Sequence, residues 1–134
     1  MYRYKMEELK RWKDSPNRKP LIIRGARQVG KTWLMKEFGR ENYEKCAYIN
    51  FDDNTRMNNL FEEDFDIDRI IQGLKIESGV NIEPENTLII FDEIQETPKA
   101  LKALKYFYEN AREYHIVSAG SLLGVAIHEG TSFP

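Results

Sequence analysis

Short apolar runs alternate along the chain with stretches in which apolar residues recur every three or four positions. Four runs rich in strand-forming residues cover about residues 20–24, 47–51, 87–91 and 114–118. The third run is continuously apolar, which is typical of a strand buried on both faces of a parallel sheet. The pattern therefore predicts four strands.

The spacing of apolar residues predicts helices before and between the strands. Residues 1–13 indicate a short amphipathic helix, and a second helix follows the first strand as far as Phe38, with Gly39 as its predicted end. A third helix has apolar residues at i, i+3, i+4 and i+7 and ends at Gly79. Those apolar residues are Ile67, Ile70, Ile71 and Leu74.

A fourth helix is predicted after the third strand. Thr97 is its expected cap, and Pro98 fits its first turn. Residues 52–66 are acidic and predict irregular, solvated structure, while residues 119–121 predict a turn. The buried stripe of the fourth helix is expected to comprise Leu101, Leu104, Tyr108 and Ala111.

This alternation of strands and helices predicts the fold class. Right-handed crossovers would place the strands in one parallel sheet with helices on both of its faces. We therefore expect a three-layer α/β fold. The 134 residues are enough for a single domain.

The composition limits which partners, cross-links and cellular locations are expected. The net charge of −2 gives no global basic field, so nucleic acid is not indicated. The single cysteine, Cys46, excludes an internal disulfide and is expected to be a small buried residue at the start of a strand. The chain shows no apolar leader and no run near the roughly 20 residues of a membrane span. We expect a cytoplasmic protein.

A glycine-rich motif follows the first predicted strand and opens the next helix. It fits the phosphate-binding pattern G-x-x-x-x-G-K-[ST], in which backbone N–H groups and a helix N-terminus surround phosphate oxygens. Lys31 would reach the β- and γ-phosphates, and the Thr32 hydroxyl would bind Mg²⁺. The motif comprises Gly25, Ala26, Arg27, Gln28, Val29, Gly30, Lys31 and Thr32.

Three residues near the motif have alternative interpretations. Arg27 either contacts phosphate or lies on the surface. Trp33, directly after the motif, and Phe38 are expected in the core, and stacking on the adenine of a bound nucleotide is their alternative role.

A pair of carboxylates ends the third predicted strand, 61 residues after Lys31. Ligands bind at the carboxyl ends of parallel strands, so Asp92 would hold Mg²⁺ beside Thr32, through a water. Glu93 would orient or deprotonate the water that attacks the γ-phosphate. Ser121, with Ser118 as the alternative, would bond to the γ-phosphate or to that water, unless these serines only form a turn.

With both motifs in hand, the chain resembles a prokaryotic family of AAA-type P-loop ATPases. The similarity runs from about residue 8 to the end, and four segments carry it. They are residues 24–32, 48–52, 91–95 and 119–121.

The resemblance implies an ATPase core with an additional strand between the two motif strands. It implies Lys31 and Thr32 on phosphate and Mg²⁺, Asp92 on Mg²⁺ and Glu93 on water. Such proteins usually continue into a winged-helix-like part and a C-terminal domain of uncharacterised function. Because this chain stops at Pro134 after an apolar run, we expect it to be an N-terminal piece without its fifth strand, lid and arginine finger.

The sequence leaves two main functions open. One is Mg²⁺-dependent ATP hydrolysis that changes the conformation of an attached domain. The other is a nucleotide-dependent binding module with negligible hydrolysis, while a small-molecule phosphotransferase is a weaker third interpretation. The expected partners are ATP or ADP, the C-terminal remainder of the protein and a second copy of the chain.

Overall fold

Four parallel strands form the centre of the molecule in a computed structural model that describes residues 2–25 and 29–121. The strands are β1 (Leu21–Gly25), β2 (Lys45–Asn50), β3 (Thr87–Asp92) and β4 (His115–Ser121). The α-helices of the described residues are α1 (Tyr2–Lys13), α2 (Val29–Asn42), α3 (Thr55–Glu63), α4 (Ile67–Ser78) and α5 (Pro98–Asn110). A short 3₁₀ turn, Ile94–Glu96, follows β3.

The order of the strands across the sheet is β1-β4-β3-β2. All three pairings are parallel, and β4 lies between β1 and β3, the strands that carry the two motifs. The predicted α/β class and the additional strand are both confirmed. Because Gly25 pairs with Ser121 and Asn50 pairs with Asp92, the ends of all four strands meet at one edge of the sheet.

Two apolar layers cover the sheet. Leu88 and Ile90 of β3 belong to a buried cluster with Met35 and Phe38 of α2, to which α1 also contributes. The alternate residues of β3 face the opposite cluster, which contains side chains of α3, α4 and α5. Every residue of β3 is buried, as the continuous apolar run predicted.

Gly39 does not end α2, and this prediction was wrong. The helix continues to Asn42, and the glycine at this position instead allows a close contact between helix and sheet. A Cβ atom at Gly39 would lie 2.7 Å from Cys46 Sγ and 3.2 Å from Leu88 Cδ2. Cys46 lies in β2 and is half-buried, and burial raises the pKa of its thiol to about 11, so it is a neutral thiol at physiological pH.

The acidic segment contains a helix that the sequence analysis missed. The side chain of Asn54 accepts a hydrogen bond from the Met57 N–H and caps α3. Met57 and Phe61, one turn apart, bury the inner face of this helix. The carboxylates of this helix are exposed. The acidic composition of the segment favoured an irregular structure over the helix that the spacing of the apolar pair indicates.

Four smaller predictions need correction in whole or in part. Residues 119–121 extend β4 instead of forming a turn, because their backbone pairs with β1. Thr97 occupies the N-cap position of α5 as predicted, but its hydroxyl donates to Asn58 Oδ1 at 2.9 Å and not to the helix backbone. Trp33 is 50% exposed, whereas Phe38 is buried as predicted. In α5, Tyr108 was predicted to belong to the buried stripe but is only half-buried, and Phe107 is buried instead.

Gly79 ends α4 as predicted. It adopts a left-handed conformation with φ of 73°, which a residue without a side chain reaches at little cost, and its N–H bonds to the Lys75 carbonyl.

The buried His115 makes folding sensitive to pH. It lies between Trp12 and Tyr43, and the Tyr43 hydroxyl is 2.6 Å from Nδ1. Burial, aided by the charges of Arg18 and Lys13, lowers the pKa of His115 to about 4. The unfolded chain, with a histidine pKa of about 6.5, binds this proton more readily, so stability is lost as pH falls from about 6.5 towards 4.

We expect the urea midpoint of unfolding to fall between pH 7.5 and pH 5.5 because of this histidine. The carboxylates with lowered pKa values, such as Glu77, lose their contribution to folding stability only at lower pH. They therefore do not account for a change in stability between pH 7.5 and pH 5.5. A His115→Gln variant should show a flatter dependence over the same range. An equally steep dependence in that variant would assign the effect to another group.

Candidate functional site

The predicted site residues gather where the carboxyl ends of the strands meet the start of α2. Gly25 ends β1, and α2 begins at Val29. The predicted phosphate-binding residues Ala26, Arg27 and Gln28 lie outside the described residues. Gly30 is exposed, and a Cβ placed there would meet nothing within 4 Å among the residues that the structure describes.

Lys31 extends from the first turn of α2 towards the end of β4. Its Nζ donates to the Gly120 carbonyl at 3.3 Å, next to Ser121 in the chain. The side chain thus connects the start of α2 with the carboxyl edge of the sheet. An ammonium group in this position can bind phosphate oxygens held against the motif.

Asp92 is the carboxylate at the centre of the site. It is 5% exposed, and its Oδ2 accepts a hydrogen bond of 2.6 Å from the Thr32 hydroxyl. These two residues are 60 positions apart in the chain and come from the two predicted motifs. The Asp92 Oδ1 accepts from the Glu93 N–H at 3.0 Å, so the carboxylate is held at both oxygens.

Tyr48 is a site residue that the sequence analysis did not assign. Its hydroxyl donates to Asp92 Oδ2 at 2.7 Å, so the carboxylate oxygen receives two hydroxyl groups. Burial, together with this bond to Asp92, raises the pKa of Tyr48 well above its ordinary value. The sequence carried no signal for this role, because it depends on the pairing of β2 with β3, in which Asn50, two positions after Tyr48, pairs with Asp92.

Glu93 has an unusual backbone conformation. Its φ of 55° lies in the left-handed region, and the side chain is half-buried. Its carboxylate Oε1 accepts a hydrogen bond of 2.9 Å from Gln95 Nε2, in the 3₁₀ turn. A non-glycine residue in this conformation stores strain, which is frequent at functional sites.

The two candidate serines have different surroundings in β4. Ser118 is fully buried, and its hydroxyl has no hydrogen-bond partner among the residues that the structure describes. It pairs with Ile22 and Phe91, both of which pack in the cluster on the side of α3, α4 and α5. Ser121 ends β4 opposite Gly25, at the edge where the other site residues gather.

The donor set fits a small hard cation. A neutral hydroxyl and a carboxylate oxygen 2.6 Å apart, Thr32 Oγ1 and Asp92 Oδ2, are oxygen ligands of the kind that Mg²⁺ prefers. Residues 2–25 and 29–121 contain no cluster of three or more His, Cys, Asp or Glu side chains suited to a metal ion. Mg²⁺ in proteins is usually held by one or two protein groups together with substrate phosphates and water, which agrees with the two ligands named here.

No helix within the described part of the chain is long and apolar enough to cross a membrane.

Comparison with known proteins identifies one family. A sequence profile described as "AAA domain" matches residues 17–134, which include both motifs and all four strands. No curated protein matched the chain.

Proposed function

The chain belongs to this AAA domain family, and from that premise we propose that it binds ATP with Mg²⁺ and hydrolyses it. The observation that carries the proposal is the 2.6 Å hydrogen bond between Thr32 and Asp92. It joins the end of the glycine motif to the acid at the end of β3, the two groups expected to share a magnesium ion in such a site. The family itself supports nucleotide binding.

Each residue has a part that follows from its position. The N–H groups at the start of α2 and the Lys31 ammonium bind the phosphates, while Thr32 and Asp92 hold the cation. When bound, Mg²⁺ neutralises phosphate charge and favours transfer of the γ-phosphoryl group. Glu93, directly after Asp92, orients the attacking water and accepts its proton, and Ser121 donates a hydrogen bond to the γ-phosphate.

A second candidate function is nucleotide binding with negligible hydrolysis. The bond from Gln95 Nε2 to Glu93 Oε1 favours it, because one oxygen of the proposed base is already engaged. In this version, nucleotide exchange alone would change the contacts of the chain with an attached domain or a second copy. Coupling to an attached domain and self-assembly both stay predictions.

Replacing Asp92 with asparagine tests the proposal. The amide keeps an oxygen that accepts from Glu93 N–H, but it loses the negative charge that holds Mg²⁺. We expect Mg²⁺-dependent phosphate release from ATP to fall by about 100-fold, comparable to the loss of one electrostatic group from a reaction site. Phosphate release by the unmodified chain and its variants is the measurement.

Asp68→Asn is the matched control, since Asp68 is an exposed carboxylate in the first turn of α4 and its variant should keep full activity. Phosphate release by Asp92→Asn equal to that of the unmodified chain would contradict the proposed magnesium site. Saturable ATP binding by the unmodified chain with no phosphate release would instead support the binding-module function.

A further inference from the structure

Tyr48 lies beside the proposed cation site and belongs to neither motif. We propose that Tyr48 is a positioning residue that sets the affinity of the site for Mg²⁺ by holding the Asp92 carboxylate in place. This inference rests on the proposed function. It adds a third element, β2, to a site that the motifs build from α2 and β3.

The hydrogen bonds of Asp92 show what Tyr48 contributes. Oδ1 accepts from the Glu93 N–H, and Oδ2 accepts from both Thr32 and Tyr48. Thr32 is itself a proposed ligand of the cation. Among the residues that the structure describes, Tyr48 is therefore the side-chain donor that can hold Asp92 Oδ2 without itself binding the cation.

Tyr48 is itself held in position. Its backbone pairs with Ile90 in β3, two residues before Asp92, which brings the phenol to the same face of the sheet as the carboxylate. The Lys36 ammonium lies 4.0 Å from the centre of the Tyr48 ring. Lys36 is one helical turn after Thr32 in α2, so the helix that supplies Thr32 to Asp92 also supports the ring.

This arrangement forms a closed set of contacts from α2 through Asp92 and Tyr48 back to α2. A carboxylate fixed in this way loses little freedom when a cation binds, whereas a carboxylate free to rotate must be ordered at that moment. We expect Tyr48 to act on the cation through Asp92, since its hydroxyl donates to the carboxylate oxygen Oδ2. Its effect should appear in the requirement for Mg²⁺ and not in the binding of the nucleotide itself.

Tyr48→Phe tests this inference because it removes the hydroxyl and keeps the ring under Lys36. The measurement is binding of a fluorescent ATP analogue, first with EDTA and then with increasing free Mg²⁺. We expect the half-saturating Mg²⁺ concentration to rise by about tenfold or more, the usual effect of removing a group that supports a metal ligand. Affinity in EDTA should stay within about twofold of the unmodified chain.

Tyr43→Phe is the matched control. It also removes a half-buried phenol hydroxyl, one that lies 2.6 Å from His115 Nδ1 and makes no contact with Asp92 among the hydrogen bonds of the described residues. Its thermal midpoint should fall while its Mg²⁺ requirement stays unchanged. An equal rise in the Mg²⁺ requirement for both variants would show general loosening of the fold and overturn the inference.

Lys36→Met provides a second variant in case Tyr48→Phe folds poorly. It retains the hydroxyl but removes the charge over the ring, so the Mg²⁺ requirement should rise by a smaller factor, about threefold. An unchanged Mg²⁺ requirement in whichever of these variants folds would overturn the inference and leave the proposed function standing. No binding of the analogue to the unmodified chain, with or without Mg²⁺, would instead overturn the proposed function.

Discussion

Lys31→Ala will lower the affinity of the chain for ATP by about 100-fold or more, because it removes the ammonium group proposed to bind the phosphates. The Lys31 side chain extends from α2 to the Gly120 carbonyl near the carboxyl end of β4. Among the described residues, no other lysine donates a side-chain hydrogen bond to this end of the sheet. The measurement is equilibrium binding of ATP in the presence of Mg²⁺.

Lys105→Ala is the control for this experiment. It removes the same charge from the exposed face of α5, so net charge and long-range attraction of the nucleotide change equally in both variants. ATP affinity should stay near that of the unmodified chain. A comparable loss in Lys105→Ala, or an unchanged affinity in Lys31→Ala, would show that the glycine motif does not bind phosphate in the way proposed.

Glu93→Gln will leave ATP affinity nearly unchanged and reduce steady-state phosphate release by about 100-fold or more, because a general base typically contributes about 10²–10⁴-fold. The amide can still accept a hydrogen bond from Gln95 but cannot take a proton from water. The substitution preserves the size of the side chain, so the left-handed backbone at φ of 55° should be retained. Binding and turnover are measured on the same preparation.

The neighbouring Glu96 offers a matched substitution. Glu96 is exposed and lies in the 3₁₀ turn that follows Glu93, and its carboxylate also accepts from Gln95, at 3.4 Å. Glu96→Gln should keep both ATP affinity and turnover. Full turnover in Glu93→Gln would exclude Glu93 as the base, while equal losses in both variants would point to disruption of the turn.

The strands were predictable because each is a short run of strand-forming residues, and β3 shows the clearest signal. The ends of elements were less predictable when a tertiary contact decided them. Gly39 looks like a helix end in sequence, yet its missing side chain admits Cys46 and Leu88 from the sheet. Ser121 looks like part of a turn, yet the backbone of Gly25 pairs with it.

Some residues of the candidate site could also be predicted from the sequence, and others could not. The motifs identified Thr32 and Asp92, and their side chains lie within hydrogen-bond distance because α2 starts beside the ends of β3 and β4. Tyr48 was not predictable, because its contact with Asp92 depends on how β2 pairs with β3. The backbone conformation of Glu93 also has no signal in the sequence, since left-handed residues are usually glycine or asparagine.

Isothermal titration calorimetry of the unmodified chain with ATP tests the central claim most directly. The titration is run once with excess Mg²⁺ and once with EDTA. The arrangement of Lys31, Thr32 and Asp92 predicts a single saturable site with an affinity at least about tenfold higher in Mg²⁺. Absence of saturable binding in both titrations, or equal affinity in the two, would contradict a nucleotide site completed by Thr32 and Asp92.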